Sequence, residues 1–178
     1  VSKDELFFAH NKSKVNKYGE YKKGMIKVGK WPIRDDHKFK KNYLTLQDIV
    51  IYSSNIGTLL IANRLSAQEL IDGYYKFGLK KKTGIEVSSY EKIGRLPSYA
   101  RLSAKEEKRL NVFKSTISYG QGMTTTFMQL LKAYSVFNNN GKIVTPHITQ
   151  NRLLDTQPQV ISSKSANHMK ELLIKTVQ

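Results

Sequence analysis

In the stretch Asp48-Ile-Val-Ile-Tyr-Ser-Ser-Asn-Ile-Gly-Thr58, two adjacent hydroxyls, Ser53 and Ser54, and the primary amide of Asn55 stand between the apolar runs 49–51 and 56–61. Three polar groups set into an apolar helical region cost desolvation free energy unless each finds a hydrogen-bond partner. The groups either face a cleft, where their donors and acceptors serve a ligand, or bond to nearby backbone as a kink between two core helices. Sequence spacing alone leaves both readings open.

The elements around the cluster are read from caps and periods. Thr45 with Asp48 three residues on forms a cap-like start for a short helix over 46–52. Ser54 or Asn55 begins a second helix, in which Ile56, Leu59, Leu60 and Asn63 recur near helical spacing. A third starts at Ser66, with Glu69 three positions on and an apolar face of Leu70, Ile71, Tyr74 and Phe77 that ends at Gly78. Residues 79–103 read as irregular, and a fourth helix is expected over 105–114. After Ser118-Tyr-Gly-Gln-Gly-Met123 a fifth, buried helix is expected over 126–137, with Phe127, Leu130, Leu131, Tyr134 and Phe137 on one face. Strands are expected at 143–149 and 151–154, then a last helix from Ser163 to the terminus. Its apolar face of Ala166, Met169, Leu172, Leu173 and Val177 needs a cover, and is expected to be exposed unless a partner fills it.

Residues 1–44 are polar, lysine-rich and broken by Gly19, Gly24 and Gly29, and read as loops with a small hairpin near 21–28. Trp31 beside Pro32 is their expected anchor. The division is therefore a basic, loop-rich segment over 1–44 packed on a helical part over 45–178.

With 178 residues the chain can build one ordinary domain. It has no cysteine, which excludes disulfides, thiolate metal sites and a cysteine nucleophile. His10, His37, His147 and His168 have no metal-ligand spacing, so no metal and no cofactor are expected. Asp35 and Asp36 could pass for a paired acidic site, but adjacent acids point apart more often than together. No run approaches the ~18 apolar residues of a membrane span, and Val1-Ser-Lys-Asp-Glu5 is not a signal peptide. The chain is thus expected to be soluble or an excised piece. The net charge of +16, with Lys12, Lys14, Lys17, Lys22, Lys23, Lys27 and Lys30 thickening toward the front, admits a polyanionic neighbour or a lysine-rich genome.

The motif Tyr52-Ser-Ser-Asn-Ile-Gly-Thr58 is followed in order by Phe77-Gly-Leu79, Ser118-Tyr-Gly-Gln-Gly122, Gln129-Leu-Leu-Lys-Ala-Tyr134 and Asn140-Gly141. This series resembles the transpeptidase domain of class B penicillin-binding proteins, bacterial cell-wall enzymes, across most of residues 42–178. The resemblance implies an α+β chain, the mainly helical part of the serine β-lactamase/penicillin-binding transpeptidase fold, incomplete at both ends and with most of the central sheet outside it. The family works with Ser-x-x-Lys, Ser-x-Asn and Lys-Thr-Gly motifs. By resemblance Ser53 and Asn55 are the catalytic Ser-x-Asn pair, with Ser54, Tyr119, Gly120, Gln121 and Gly122 in the neighbourhood of the substrate cleft. A serine nucleophile needs a base to take its proton, which in the family is a lysine one helical turn on. The hydroxyl corresponding to Ser53 would relay that proton toward the departing D-alanine amine. The amide corresponding to Asn55 would hold the substrate carbonyl and the lysine.

Ser89-Tyr-Glu-Lys92 and Lys82-Thr-Gly84 match the other two motifs by letters but stand in the wrong order and in irregular sequence. The nucleophile is therefore expected before Val1 and the true Lys-Thr-Gly after Gln178, and the chain alone is expected to be inactive. The implied parent is a peptidoglycan D,D-transpeptidase of the division-specific type, acting through a serine acyl-enzyme. Its expected partners are D-alanyl-D-alanine stem peptides, β-lactams, a membrane glycosyltransferase and divisome proteins, and its expected place is the periplasmic face of the inner membrane. Two alternatives stand beside it. A helical basic module binding nucleic acid or a membrane surface would lose affinity steeply with salt, and a non-catalytic scaffold relative would keep the fold without the chemistry.

Overall fold

The computed structural model describes residues 2, 4–8, 24–38, 41–104, 110–150 and 156–177. Its elements run β1 (Phe7–Phe8), β2 (Met25–Val28), β3 (Trp31–Arg34), β4 (Tyr43–Leu44), α1 (Leu46–Ile51), α2 (Asn55–Ala62), α3 (Ala67–Lys76), α4 (Tyr99–Ser103), α5 (Val112–Ile117), α6 (Phe127–Asn138) and α7 (Ser163–Thr176). This is a mainly helical α+β chain whose described strands form two antiparallel pairs, β1 with β4 and β2 with β3. The chain divides into two compact units. One comprises Val1–Gln68, Pro97–Gly122 and Lys175–Gln178, and the other Glu69–Leu96 and Met123–Ile174.

In the first unit the core is built on α2. Ile26 faces Ile33 and Val28 faces Trp31 across the β2–β3 hairpin. Val28 and Ile33 are buried against Leu59, with Leu60, Leu110, Val112 and Tyr119 packed around them. Phe7 and Leu44 close on Ile49, with Leu60 and Ile61 alongside. Val28 and Ile33 thus fasten the hairpin, whereas Trp31 is 66% exposed and anchors nothing. Trp31 flanks the two-residue turn Gly29–Lys30 opposite Val28, and it is Val28 that the core takes in. Residues 21–23 of the expected extended stretch, His10, and Lys12, Lys14, Lys17, Lys22 and Lys23 lie outside the described residues.

The fourth helix does not run over 105–114. Residues 105–109 lie outside the described residues, and α5 starts only at Val112 because Asn111 caps it, accepting from Lys114 N at 2.8 Å. The same Asn111 amide donates to Arg101 O at 2.9 Å and Ala104 O at 2.8 Å, fastening the end of a short helix, α4, in a stretch read as irregular. Asn63, which ends α2, donates to Ser115 Oγ at 2.8 Å and accepts from Asn111 N at 3.2 Å, so α5 is bracketed onto α2.

In the second unit Thr126 and Gln129 form a capping box that starts α6. Gln129 is fully buried, and its Nε2 also donates to Lys81 O at 2.7 Å and Ile93 O at 3.1 Å. The helix therefore buries its Gln129–Val136 side. The stripe expected to be interior is largely exposed: Phe127 by 74%, Leu131 by 50% and Tyr134 by 56%. A helical period identifies an apolar face, but a polar bracket decided which face turned inward. Residues 143–149 form no ladder. A single bridge joins Lys142 to Gln159, and the amides of Ile148 and Thr149 are taken instead by the Glu86 carboxylate at 3.0 to 3.2 Å. The expected strand at 151–154 lies outside the described residues. On α7, Ala166 and Leu172 are buried rather than bare, while Val177, just past the helix, is 87% exposed.

Candidate active site

The positioning of Ser53, Ser54 and Asn55 follows from how α1 ends and α2 begins. Thr45 and Asp48 start α1 as a capping box, Asp48 N donating to Thr45 Oγ1 at 3.1 Å and Thr45 N to Asp48 Oδ2 at 3.0 Å. Lys41 adds an ion pair at 3.0 Å. Burial acts to raise the Asp48 pKa but is outweighed by the bonds from the Thr45 backbone, Lys41 and the Thr45 hydroxyl, so the carboxyl lies below its usual range.

At its other end α1 closes with Ser54 N donating to Ile49 O at 2.9 Å and Ser53 N to Val50 O at 3.2 Å. These paired bonds place Ser53 at the left-handed residue just past the helix, with φ of 50°. Two other helices end in the same way, but with glycine there. Gly78 follows α3, with bonds from Leu79 N to Tyr74 O and Gly78 N to Tyr75 O, and Gly120 follows α5, with bonds from Gln121 N to Thr116 O and Gly120 N to Ile117 O. Only at 53, among these three, does a side chain occupy the strained position.

Ser54, the very next residue, already caps α2. Its hydroxyl accepts from Gly57 N at 2.9 Å and donates to both Asp35 carboxylate oxygens, at 3.1 and 3.0 Å. Asp35 Oδ1 also accepts from Ile56 N at 3.0 Å. Asp35 and Ser54 are almost completely buried, at 2% and 1% exposure. Burial raises the Asp35 pKa, and the bonds from Ile56 N, Ser54 and Asn55 N offset only part of that rise. The cap brings α1 and α2 so close that a Cβ on Gly57 would lie 2.4 Å from Ile49 Cγ1.

The polar cluster thus splits by direction. Ser54 turns inward, while Ser53 is exposed and Asn55 half-exposed, and these two line a cleft of about 500 Å³ with Arg34, Asp35, Asp36 and His37. Among the described residues the Ser53 hydroxyl has no hydrogen-bond partner. Asn55 Nδ2 donates to Arg34 O at 3.0 Å, which fixes the amide against the end of β3.

Tyr119 packs its ring into the core beside Val28, Ile33 and Leu59, and burial raises its pKa. Its hydroxyl donates to Gln121 Oε1 at 3.3 Å. Gly120, Gln121 and Gly122 are exposed, and none of the four lines the cleft that Ser53 and Asn55 line. Ser89 lies on an exposed single turn over Ser88–Tyr90 in the other unit. In that unit Thr83 is buried, bonded through its N–H to Glu91 at 2.8 Å and through its carbonyl to Lys132 at 2.7 Å. Lys82-Thr-Gly84 is thus an irregular loop and not a strand. No group of histidine and acidic residues among the described ones could hold a metal. His147 and His168 are exposed.

The residue that sequence reasoning missed is Asp35. It was weighed only as half of an acidic pair, whereas the structure parts the two acids: Asp35 turns inward and Asp36 is exposed. The available signal was strand alternation, since Ile33 and Asp35 share one face of an extended segment.

The arrangement is that of a penicillin-binding transpeptidase domain. The chain superposes over its whole length on the solved transpeptidase domain of penicillin-binding protein 3 from Burkholderia pseudomallei, with TM-score 0.78 and 24% identity, covering 48% of that chain. A peptidoglycan glycosyltransferase from Burkholderia ambifaria gives TM-score 0.79, with 99% of this chain and 50% of that one matched. Residues 6–178 match the penicillin-binding protein transpeptidase domain model, and the chain belongs to that family. It is 24% identical over 155 residues to the probable peptidoglycan D,D-transpeptidase PenA of Neisseria meningitidis, and 35% identical over 98 residues to the peptidoglycan D,D-transpeptidase FtsI of Buchnera aphidicola. These matches cover 85% and 55% of this chain. The chain spans 24% of the length of that PenA and 16% of that FtsI.

Proposed function

We propose that this chain supplies the Ser-x-Asn part of the active site of a class B, division-type peptidoglycan D,D-transpeptidase. One observation carries the reading: Ser53 and Asn55 line a polar cleft while the serine between them is held inward by Asp35. Of the three polar groups, Ser54 and Asn55 are bonded to backbone, whereas the Ser53 hydroxyl, among the described residues, is left to the cleft.

On this reading a serine from outside these residues attacks the carbonyl between two D-alanines. The serine oxygen–carbon bond forms, the peptide bond breaks, and the serine proton reaches the departing amine through a lysine and Ser53 Oγ. Asn55 holds the substrate carbonyl. An amine of a second stem peptide then displaces the serine, forming the cross-link. β-Lactams acylate the same serine. Within this chain Ser89 is the only serine with a lysine three residues on, and it stands exposed on a three-residue turn rather than at the head of a buried helix, so the chain alone forms no acyl-enzyme. The domain would work at the periplasmic face of an inner membrane, beside a membrane glycosyltransferase and divisome proteins. No described helix of this chain is long and apolar enough to cross a membrane.

The test is intact-mass spectrometry after incubation with a β-lactam, on this chain and on one extended at both ends in its native reading frame. Acylation of the extended form alone is the expected result. A stable adduct on the short chain, or none on either, overturns the proposal.

A further inference from the structure

The lysines that follow α3 take no part in the proposed chemistry, and they belong to the other unit from the residues that line the cleft. Lys80, Lys81 and Lys82 stand exposed in succession, shortly after Lys76 ends the helix. Among the described residues no ion pair or hydrogen bond engages the side chains of Lys80 and Lys82, and the Lys81 ammonium lies 5.4 Å from the centroid of the Tyr75 ring. Their backbone, in contrast, is fixed. Gln129 Nε2 donates to Lys81 O at 2.7 Å, Lys132 Nζ donates to Thr83 O at 2.7 Å, and Thr83 N donates to Glu91 Oε2 at 2.8 Å. Lys80 has a φ of 55°, where glycine is the unstrained residue. The fold thus holds a long cationic side chain at a strained position and leaves its ammonium to solvent. Strain of this kind persists where the surrounding structure imposes it, and it concentrates at binding sites.

We propose that the loop Lys80–Lys82 is a docking surface for the polymer that carries the substrate, a peptidoglycan strand held by the carboxylates of its stem peptides rather than by the scissile bond. The inference rests on the transpeptidase reading above, which supplies the polyanion: each stem peptide that ends in D-alanyl-D-alanine carries a terminal carboxylate, and a strand repeats it. One exposed ammonium–carboxylate pair is weak. Three ammoniums on a backbone that is already fixed lose little further freedom on binding, and pairs formed along one strand reinforce one another. A lysine ammonium is a point charge with rotatable donors on a flexible stem, which suits carboxylates whose positions vary along a polymer.

The experiment sediments the extended chain with insoluble peptidoglycan at low salt, after a β-lactam has acylated the active serine so that retention does not report the cleft. Lys80→Gln, Lys81→Gln and Lys82→Gln together are expected to weaken retention roughly tenfold. Converting the peptidoglycan carboxylates to neutral amides should weaken the wild type to the same level. Lys142→Gln, Lys164→Gln and Lys170→Gln together remove the same charge from exposed positions of the same unit and should change retention by less than about twofold. Equal losses from the two triple variants overturn the inference, as does undiminished retention of the first triple variant or on the amidated polymer. Tighter retention of the wild type on phosphatidylglycerol vesicles than on peptidoglycan also overturns it, by assigning the surface to a lipid. Lys80→Gly separates docking from structure: it relieves the left-handed strain, so Tm should not fall while retention does. A lower Tm alongside the lost retention would make the side chain structural and overturn the inference. The acylation step separates the two levels. Without acylation the transpeptidase reading itself fails; acylation without carboxylate-dependent retention removes this inference alone.

Discussion

Replacing Ser53 by glycine is expected to make the protein more stable and less capable. Ser53 sits at φ 50° just past α1, where an L side chain crowds the backbone. Glycine removes that crowding but gains freedom in the unfolded chain, which leaves a net stabilisation of about 1 kcal/mol. No compensating loss arises, because among the described residues the Ser53 hydroxyl bonds to nothing. For a domain of this size the gain is a rise of roughly 2–4 °C in Tm. Ser53→Ala provides the control: it keeps the left-handed strain and loses the hydroxyl, so its Tm is expected to match the wild type. In the extended chain both variants should lose β-lactam acylation by about a hundredfold or more, the usual contribution of a positioned proton relay. Urea unfolding reads the first effect and single-turnover acylation the second. A Ser53→Gly variant less stable than the wild type would refute the reasoning, since the hydroxyl would then be structural. So would a Gly variant that acylates normally.

Asp35→Ala should cost roughly 2–3 kcal/mol, because it leaves the buried Ser54 O–H and Ile56 N–H without their acceptor; urea denaturation checks it. Asp35 has a folded pKa raised by burial, so its charging opposes folding: stability is fully present below the ordinary aspartate range and falls as pH rises through the raised value. The wild type should therefore lose stability relative to Asp35→Asn across that window, and parallel pH profiles would contradict the assignment. Gly57→Ala is expected to cost about 1–3 kcal/mol and to reduce acylation as well, because its Cβ would meet Ile49 at 2.4 Å and push α1 from α2. A stability loss with acylation intact would mean that the cleft tolerates that shift.

Much of the site was legible where the signal was local. Thr45 with Asp48 and Thr126 with Gln129 are capping pairs within one turn of chain, and the helices start where those residues say. The junction at Ser53–Asn55 was legible for the same reason. What sequence hid was long-range. The partner that turns Ser54 inward is Asp35, nineteen residues away. The bond that unmakes the strand at 148–149 comes from Glu86, more than sixty residues away. A carboxylate that satisfies backbone amides in a loop leaves no periodic trace. The inward side of α6 was likewise decided by Gln129 reaching Lys81 and Ile93, whereas the apolar count pointed to the opposite face.

Ser54 closes one helix with its N–H and opens the next with its hydroxyl, so no spare residue separates α1 from α2. The two helices therefore share a hinge pin. A residue added or deleted at the start of α2 would shift that helix's side chains by about 100° around its axis. Asn55 would leave the cleft, and Leu59 would leave the core that the hairpin closes. Substitutions at this junction trade stability against chemistry in small steps, but a change in its length has no small step available. The three-residue motif is thus kept in register by the folding of its own flanks, whatever the substrate demands.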